Sequence, residues 1–181
     1  MTKSIITKDV AKLIRTQLKA AFPGVKFSVR CAIVTASAWI DVTYDDGPSY
    51  DQVATIARAF EGRSFNGMTD TYDSNGPALM AGAGENLPEL VDYLCDGVNI
   101  HRSFTPAAHL EAQRIIATDS NVRDLVVCDD SGTLAQGNLT GPEVDTVVIG
   151  GRVNRMPWLD AHQAVAVALD ERDLFPTRPK N

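Results

Sequence analysis

The sequence predicts an α+β fold, a mainly antiparallel sheet with helices packed on one face. It divides into an N-terminal αββα unit and a second α/β half, with the boundary at residues 1–106 and 107–181. Three observations predict this. Apolar residues recur at a helical period near the start, then alternate across residues 38–44, then return to a helical period after Pro48.

The first helix is "TKDVAKLIRTQLKAAFPG", read as running from about Lys8 to Phe22, with Thr7 as its N-cap and Pro23-Gly24 as its stop. Val10, Leu13, Ile14, Leu18 and Ala21 form its apolar side. Two strands follow in "KFSVRCAIV" and "ASAWIDVTYDD", where Ala38, Ile40, Val42 and Tyr44 share one face. The short link between them predicts an antiparallel pair. "GPSYDQVATIARAFEG" is a second helix, with a Ser49-x-x-Gln52 capping pattern at its start and Gly62 expected as a left-handed C-terminal cap. The Gly-rich stretch 74–85 reads as a loop and "NLPELVDYLCDG" as a short helix. "VNIHRSF" is a further strand, and "TPAAHLEAQRIIA" a helix opened by Thr105 and Pro106. A hairpin turned at Asp129–Gly132, a strand in "VDTVVIGG", a helix in "PWLDAHQAVAVALDER" and a frayed tail complete the chain.

Of the 181 residues 44% are hydrophobic and 22% charged, enough to build a sizeable core. No apolar run reaches the length of a membrane span, and "MTKSIITKDV" lacks a signal-peptide core. Cys31, Cys95 and Cys128 make neither a CxxC pair nor a zinc spacing and read as small apolar residues in a reducing cytosol. The expectation is a soluble cytoplasmic protein, with no membrane partner. Net charge is -6, unevenly spread: residues 1–30 hold seven Lys/Arg against the single Asp9, and the remainder is strongly acidic. An acidic bulk argues against wholesale wrapping of nucleic acid, while the basic opening leaves room for one local anion-facing surface.

Three stretches, "TKDVAKLIRTQLKAAFPGVKFSVR", "YDDGPSYDQVATIARAFEGRSFNGMTD" and "VNIHRSFTP", resemble in that order a large polyvalent protein-associated domain, the type numbered twenty-nine. The resemblance covers residues from about 7 to 106, and "AAFPGVKFSVR" and "FEGRSFNGMTD" are its most distinctive parts. It implies a setting in very large proteins of phages and conjugative elements, which travel with invading DNA and help it establish, and in short stand-alone proteins. It transfers no catalytic residue. The expected function is a non-enzymatic accessory protein that binds a host or element macromolecule, with counter-defence as one version of that task.

Two sets of residues are candidates for binding. Lys8, Lys12, Arg15 and Lys19 form a stripe on the first helix that suits several phosphates, or a solvated basic face. Such a stripe is the basis of an alternative reading as a small nucleic-acid-binding module, although aromatic residues are not interleaved with it. In "AFEGRSFNGMTDTYD", Arg63, Phe65, Asp70 and Tyr72 form a candidate recognition loop. The plainer alternative is a helix stop and a hairpin turned at Asn66-Gly67, with Phe65 and Met68 packed inward and Asp70 holding backbone amides.

A second alternative is an enzyme with a diffuse site around Asp70, Asp73 and His101; the catalytic residues themselves are not legible. Asp70 and Asp73 are too few oxygen ligands for a hard cation, so no metal is expected. His109 and His162 lack ligand spacing. Gly150-Gly151 with Arg152 and Arg155 makes only a weak anion nest, and no nucleotide motif occurs, so no cofactor is expected.

Overall fold

The computed structural model describes residues 2–32, 38–81, 87–122, 124–137, 147–149, 151–154 and 160–174. It is a mixed α+β structure that divides into two compact units. Unit 1 comprises Met1–Tyr44 and Asp51–Arg102; unit 2 comprises Asp45–Tyr50 and Ser103–Asn181.

Unit 1 opens with a strand that local sequence signals do not predict, β1 (Lys3–Ile6), which leads directly into α1 (Thr7–Ala21). Val10, Ala11, Ile14 and Leu18 are buried, as the helical period requires. Thr7 is not the cap. The capping position falls on Ile6, and the Thr7 hydroxyl donates to the Leu94 carbonyl instead. After Gly24, held at φ 98°, come β2 (Ser28–Cys31) and β3 (Trp39–Asp45), antiparallel with Val29 opposite Val42. Ile40, Val42 and Tyr44 turn into the core, as their alternation predicts. The second helix, α2 (Tyr50–Ala57), buries Val53, Ala54 and Ala57 and tightens into a 3-10 turn at Arg58–Phe60.

Beyond it the hairpin β4 (Arg63–Asn66) and β5 (Thr71–Ser74) stands as its own two-stranded ribbon. Within the stretch read as a loop lies β6 (Ala78–Met80), and the expected helix "NLPELVDYLCDG" is a strand, β7 (Glu89–Leu94). The reason is alternation: Val91 is fully buried and Tyr93 half-buried, while Leu90 and Leu94 are exposed. Pro88 also holds the preceding residue extended rather than opening a helix. The last strand of the unit is β8 (Gly97–Ser103).

Two three-stranded sheets result, in the orders β1-β7-β6 and β2-β3-β8. Antiparallel pairings predominate among the described strands, as expected, but each of the two three-stranded sheets also holds one parallel pair. β1 runs parallel to β7, with Lys3 opposite Val91 and Ile6 opposite Leu94, and β6 runs antiparallel on the other side. β8 lies parallel to β3: the Asp96 N–H donates to the Ala38 carbonyl at one end and the Asp46 N–H to the Ser103 carbonyl at the other.

Unit 2 contains α3 (Pro106–Thr118), β9 (Val147–Ile149), β10 (Arg152–Asn154) and α4 (Ala161–Leu169). Pro106 takes the first helical position as expected. Thr105 occupies the cap position without capping; its hydroxyl and N–H both donate to the Asp46 carboxylate, at 2.7 and 2.9 Å. The turn at Asp129–Gly132 is present, with the Asp129 N–H bonded to the Thr133 carbonyl. α4 starts with a capping box of Asp160 and Gln163. Ala112, Ile116, Val127, Ile149, Ala164, Val165 and Leu169 form its core. Gly150, Arg155 and the tail 175–181 lie outside the described residues.

Cys95 is buried, and desolvation pushes its thiol pKa up to about 12 from an ordinary value of 9.0. Between those two values the unfolded thiol ionises before the folded one, so the folded state binds more protons and stability falls as pH rises. Below pH 9 the effect is absent. We expect Cys95 to resist a thiol reagent at pH 8 in native protein and to label fully in urea. Fast native labelling of a Cys95-only variant would contradict the burial.

Candidate functional site

The hairpin β4–β5 carries the residues singled out in the sequence. Its base is tied down by backbone: the Gly62 N–H donates to the Cys95 carbonyl, and the Asn75 N–H to that of Gly62. Gly62 is not a left-handed cap. A side chain there would place Cβ 1.8 Å from the Tyr93 carbonyl oxygen, so close approach of two backbones is what demands glycine. The Glu61 carboxylate accepts the Val98 N–H at 2.9 Å, a further tie to β8.

Register places Arg63 opposite Ser74 and Phe65 opposite Tyr72, so these four share one face of the ribbon. The Phe65 and Tyr72 rings lie 5.3 Å apart, and Tyr72 meets Trp39 edge-on at 6.3 Å. Arg63 reaches Asp96 at 3.2 Å. The other Asp96 oxygen accepts the Ala38 N–H, so one carboxylate clamps the hairpin and the start of β3. The ion pair is half exposed and worth about 0–1 kcal/mol, and the backbone bond adds about 1. Asp96→Ala should therefore lose about 1–2 kcal/mol in urea unfolding, and Asp96→Asn less, since its amide oxygen can still accept from Ala38.

The inward packing expected of Phe65 and Met68 does not occur: Phe65 is 57% exposed, Met68 97% and Tyr72 48%. A two-stranded ribbon standing outside both sheets has no core to turn its apolar residues into. Asp70, at the tip, adopts φ 52°, a conformation Asp tolerates better than most residues. That gives Asp70 a backbone reason to be there in place of the amide-holding role expected of it. The Asn66 side chain accepts the Met68 N–H and donates to Asp73, which fixes the turn.

Arg63 and Ser74 also line a groove of about 620 Å³ with Ser4, Asp92 and Leu94. Sequence reasoning missed this groove and, apart from Arg63, its residues. The alternation of Leu90, Asp92 and Leu94 on one side of Val91 was the available signal, masked by reading the segment as a helix.

The basic stripe is exposed as expected, but half of it is engaged. Lys12 pairs with Asp9 at 2.7 Å, and the Arg15 guanidinium donates to the Val29 carbonyl. Lys12 in turn holds the Asp9 carboxyl below its usual range, through a hydrogen bond first and charge second. His101 lies exposed on β8, and among the described residues no hydrogen bond or ion pair joins it to Asp70 or Asp73. His109 Nδ1 meets the Gly132 carbonyl at 2.8 Å, and His162 shares with it a groove of about 640 Å³. Among the described residues no group of three or more His, Cys, Asp or Glu could hold a metal, and no helix is long and apolar enough to cross a membrane.

No curated protein and no solved structure matches the chain. A family model described as Large polyvalent protein associated domain 29 does match, over residues 5–105. That span takes in α1, α2, the hairpin and the strands of the two mixed sheets except the first two residues of β1, and stops at Thr105, one residue before α3. On that match the chain belongs to the Large polyvalent protein associated domain 29 family, which is found in phage and mobile-element proteins.

Proposed function

We propose that this protein is a non-enzymatic accessory protein of a phage or mobile element. Its hairpin docks a host or element macromolecule during establishment, and a component of host defence is the partner to test first. One observation carries the reading: Phe65, Met68 and Tyr72 are exposed on a ribbon whose base is fixed by Gly62, Glu61 and the Arg63–Asp96 pair. Aromatic side chains presented at low entropy cost on a braced element are what binding hot spots are made of.

The test is affinity capture from a bacterial lysate with wild-type protein and with the Phe65→Ser/Tyr72→Ser double variant. A specific partner retained by the first and lost by the second supports the reading. Equal capture by both, or no specific capture, sinks it.

A second reading, binding of nucleic acid, rests on the exposure of Lys8, Lys12, Arg15 and Lys19 along one side of α1. It predicts a shift of duplex or single-stranded DNA at low salt that weakens steeply with added salt and disappears when all four become Glu. Absence of any shift with wild-type protein ends it.

A further inference from the structure

Resting on that docking reading, we infer that the groove beside the hairpin takes a basic, apolar segment of a protein partner, seating a Lys or Arg side chain on Asp92. The register fixes the surface. On β7, Leu90, Asp92 and Leu94 point to the side opposite the buried Val91; Ser4 and Ile6 of β1 and Leu79 of β6 join them there. Ile6, Leu79, Leu90 and Leu94 are each about half exposed or more, so among the described residues nothing closes over this outer sheet face. The groove lined by Ser4, Asp92 and Leu94 continues to Arg63 and Ser74, on the hairpin face that carries Phe65 and Tyr72.

Charge then selects the occupant. Between Glu61 and Asp96 the chain holds seven acidic residues against the single cation Arg63. Arg63 is committed to Asp96, and Lys3, which pairs with Glu89, belongs to the opposite face of the sheet. Asp92 is half-buried in the middle of the aliphatic strip, and among the described residues no cation pairs with it. A half-buried carboxylate ringed by apolar side chains favours an incoming cation that brings apolar neighbours with it. A phosphate backbone is repelled. A second copy docked face to face would set one Asp92 near the other, so a basic segment fits better than self-pairing.

A random twelve-residue peptide library displayed against the intact protein tests this. The expected winners carry Lys or Arg flanked by Leu, Ile, Val or Phe. A synthetic peptide of the best sequence should lose about tenfold in affinity on Asp92→Asn and on Leu94→Ser, the scale of one charge-assisted contact. Asp51→Asn, which removes an exposed carboxylate from α2, should leave it unchanged. Both groove variants are checked for native unfolding midpoints, and Asp92→Asn preserves shape. Winners without an excess of cations, no enrichment, or an Asp92→Asn affinity within about twofold of wild type would each overturn the inference. Peptides that lose binding on Tyr72→Ser but not on Asp92→Asn would overturn it while leaving the hairpin reading intact. A concentration-dependent dimer in sedimentation, abolished by Leu94→Ser, would assign the face to a second copy and overturn it as well.

Discussion

Gly62→Ala should destabilise the protein by about 3 kcal/mol or more, measured by urea unfolding. A single methyl group at this position would stand 1.8 Å from the Tyr93 carbonyl oxygen, well inside any tolerable contact. The obstacle is backbone, not the end of a side chain that could swing away. Tyr93 belongs to β7, the central strand of its sheet, paired with β1 on one side and β6 on the other. Moving it would strain both ladders. Moving the hairpin instead would break the Gly62–Cys95 and Asn75–Gly62 hydrogen bonds and draw Arg63 away from Asp96. A loss below about 1 kcal/mol would mean that the hairpin base can draw back from β7 at little cost. If the hairpin docks a partner, Gly62→Ala should also weaken capture, through displacement of Phe65 and Tyr72 and not through their removal.

Gly132→Ala is expected to cost a similar amount, about 3 kcal/mol, for two reasons that add. The residue adopts φ 81°, where a side chain costs about 1–2 kcal/mol, and its Cβ would meet the Pro106 carbonyl oxygen at 2.2 Å. The loop cannot easily give way. Asp129 Oδ1 accepts the Ser131 and Thr133 N–H groups, while His109 Nδ1 bonds to the Gly132 carbonyl itself. Gly151 is the control, because it has nearly the same φ, 82°, with nothing within 4 Å of the added carbon. Gly151→Ala should therefore cost only the conformational part. Equal losses at the two positions would show that space plays no part at Gly132.

Much of the candidate site is legible in the amino-acid sequence. The hairpin around Asn66-Gly67 follows from turn chemistry, and the family resemblance identifies the same block. What the hairpin presents is not legible there. Whether Phe65 and Met68 face a core depends on whether a sheet lies behind the ribbon, and turn chemistry carries no information about that. Likewise Asp96, Trp39 and Asp92 gain their significance only when strands distant in the chain bring them beside Arg63, Tyr72 and Ser74.

By itself the sequence determined the elements whose signal is local. The period of Val10, Ile14 and Leu18 makes α1, alternation from Ile40 to Tyr44 makes β3, and Pro106 opens α3. Each rests on contacts and dihedral preferences within a few residues, so composition at the right spacing is enough. Only the tertiary structure decided the parallel pairing of β1 with β7, which turned an expected helix into a central strand and left Ile6, Leu90 and Leu94 on an open face. Parallel partners lie far apart in the chain and need a long crossover, so the pairing energy that selects strand over helix appears only when both are in place.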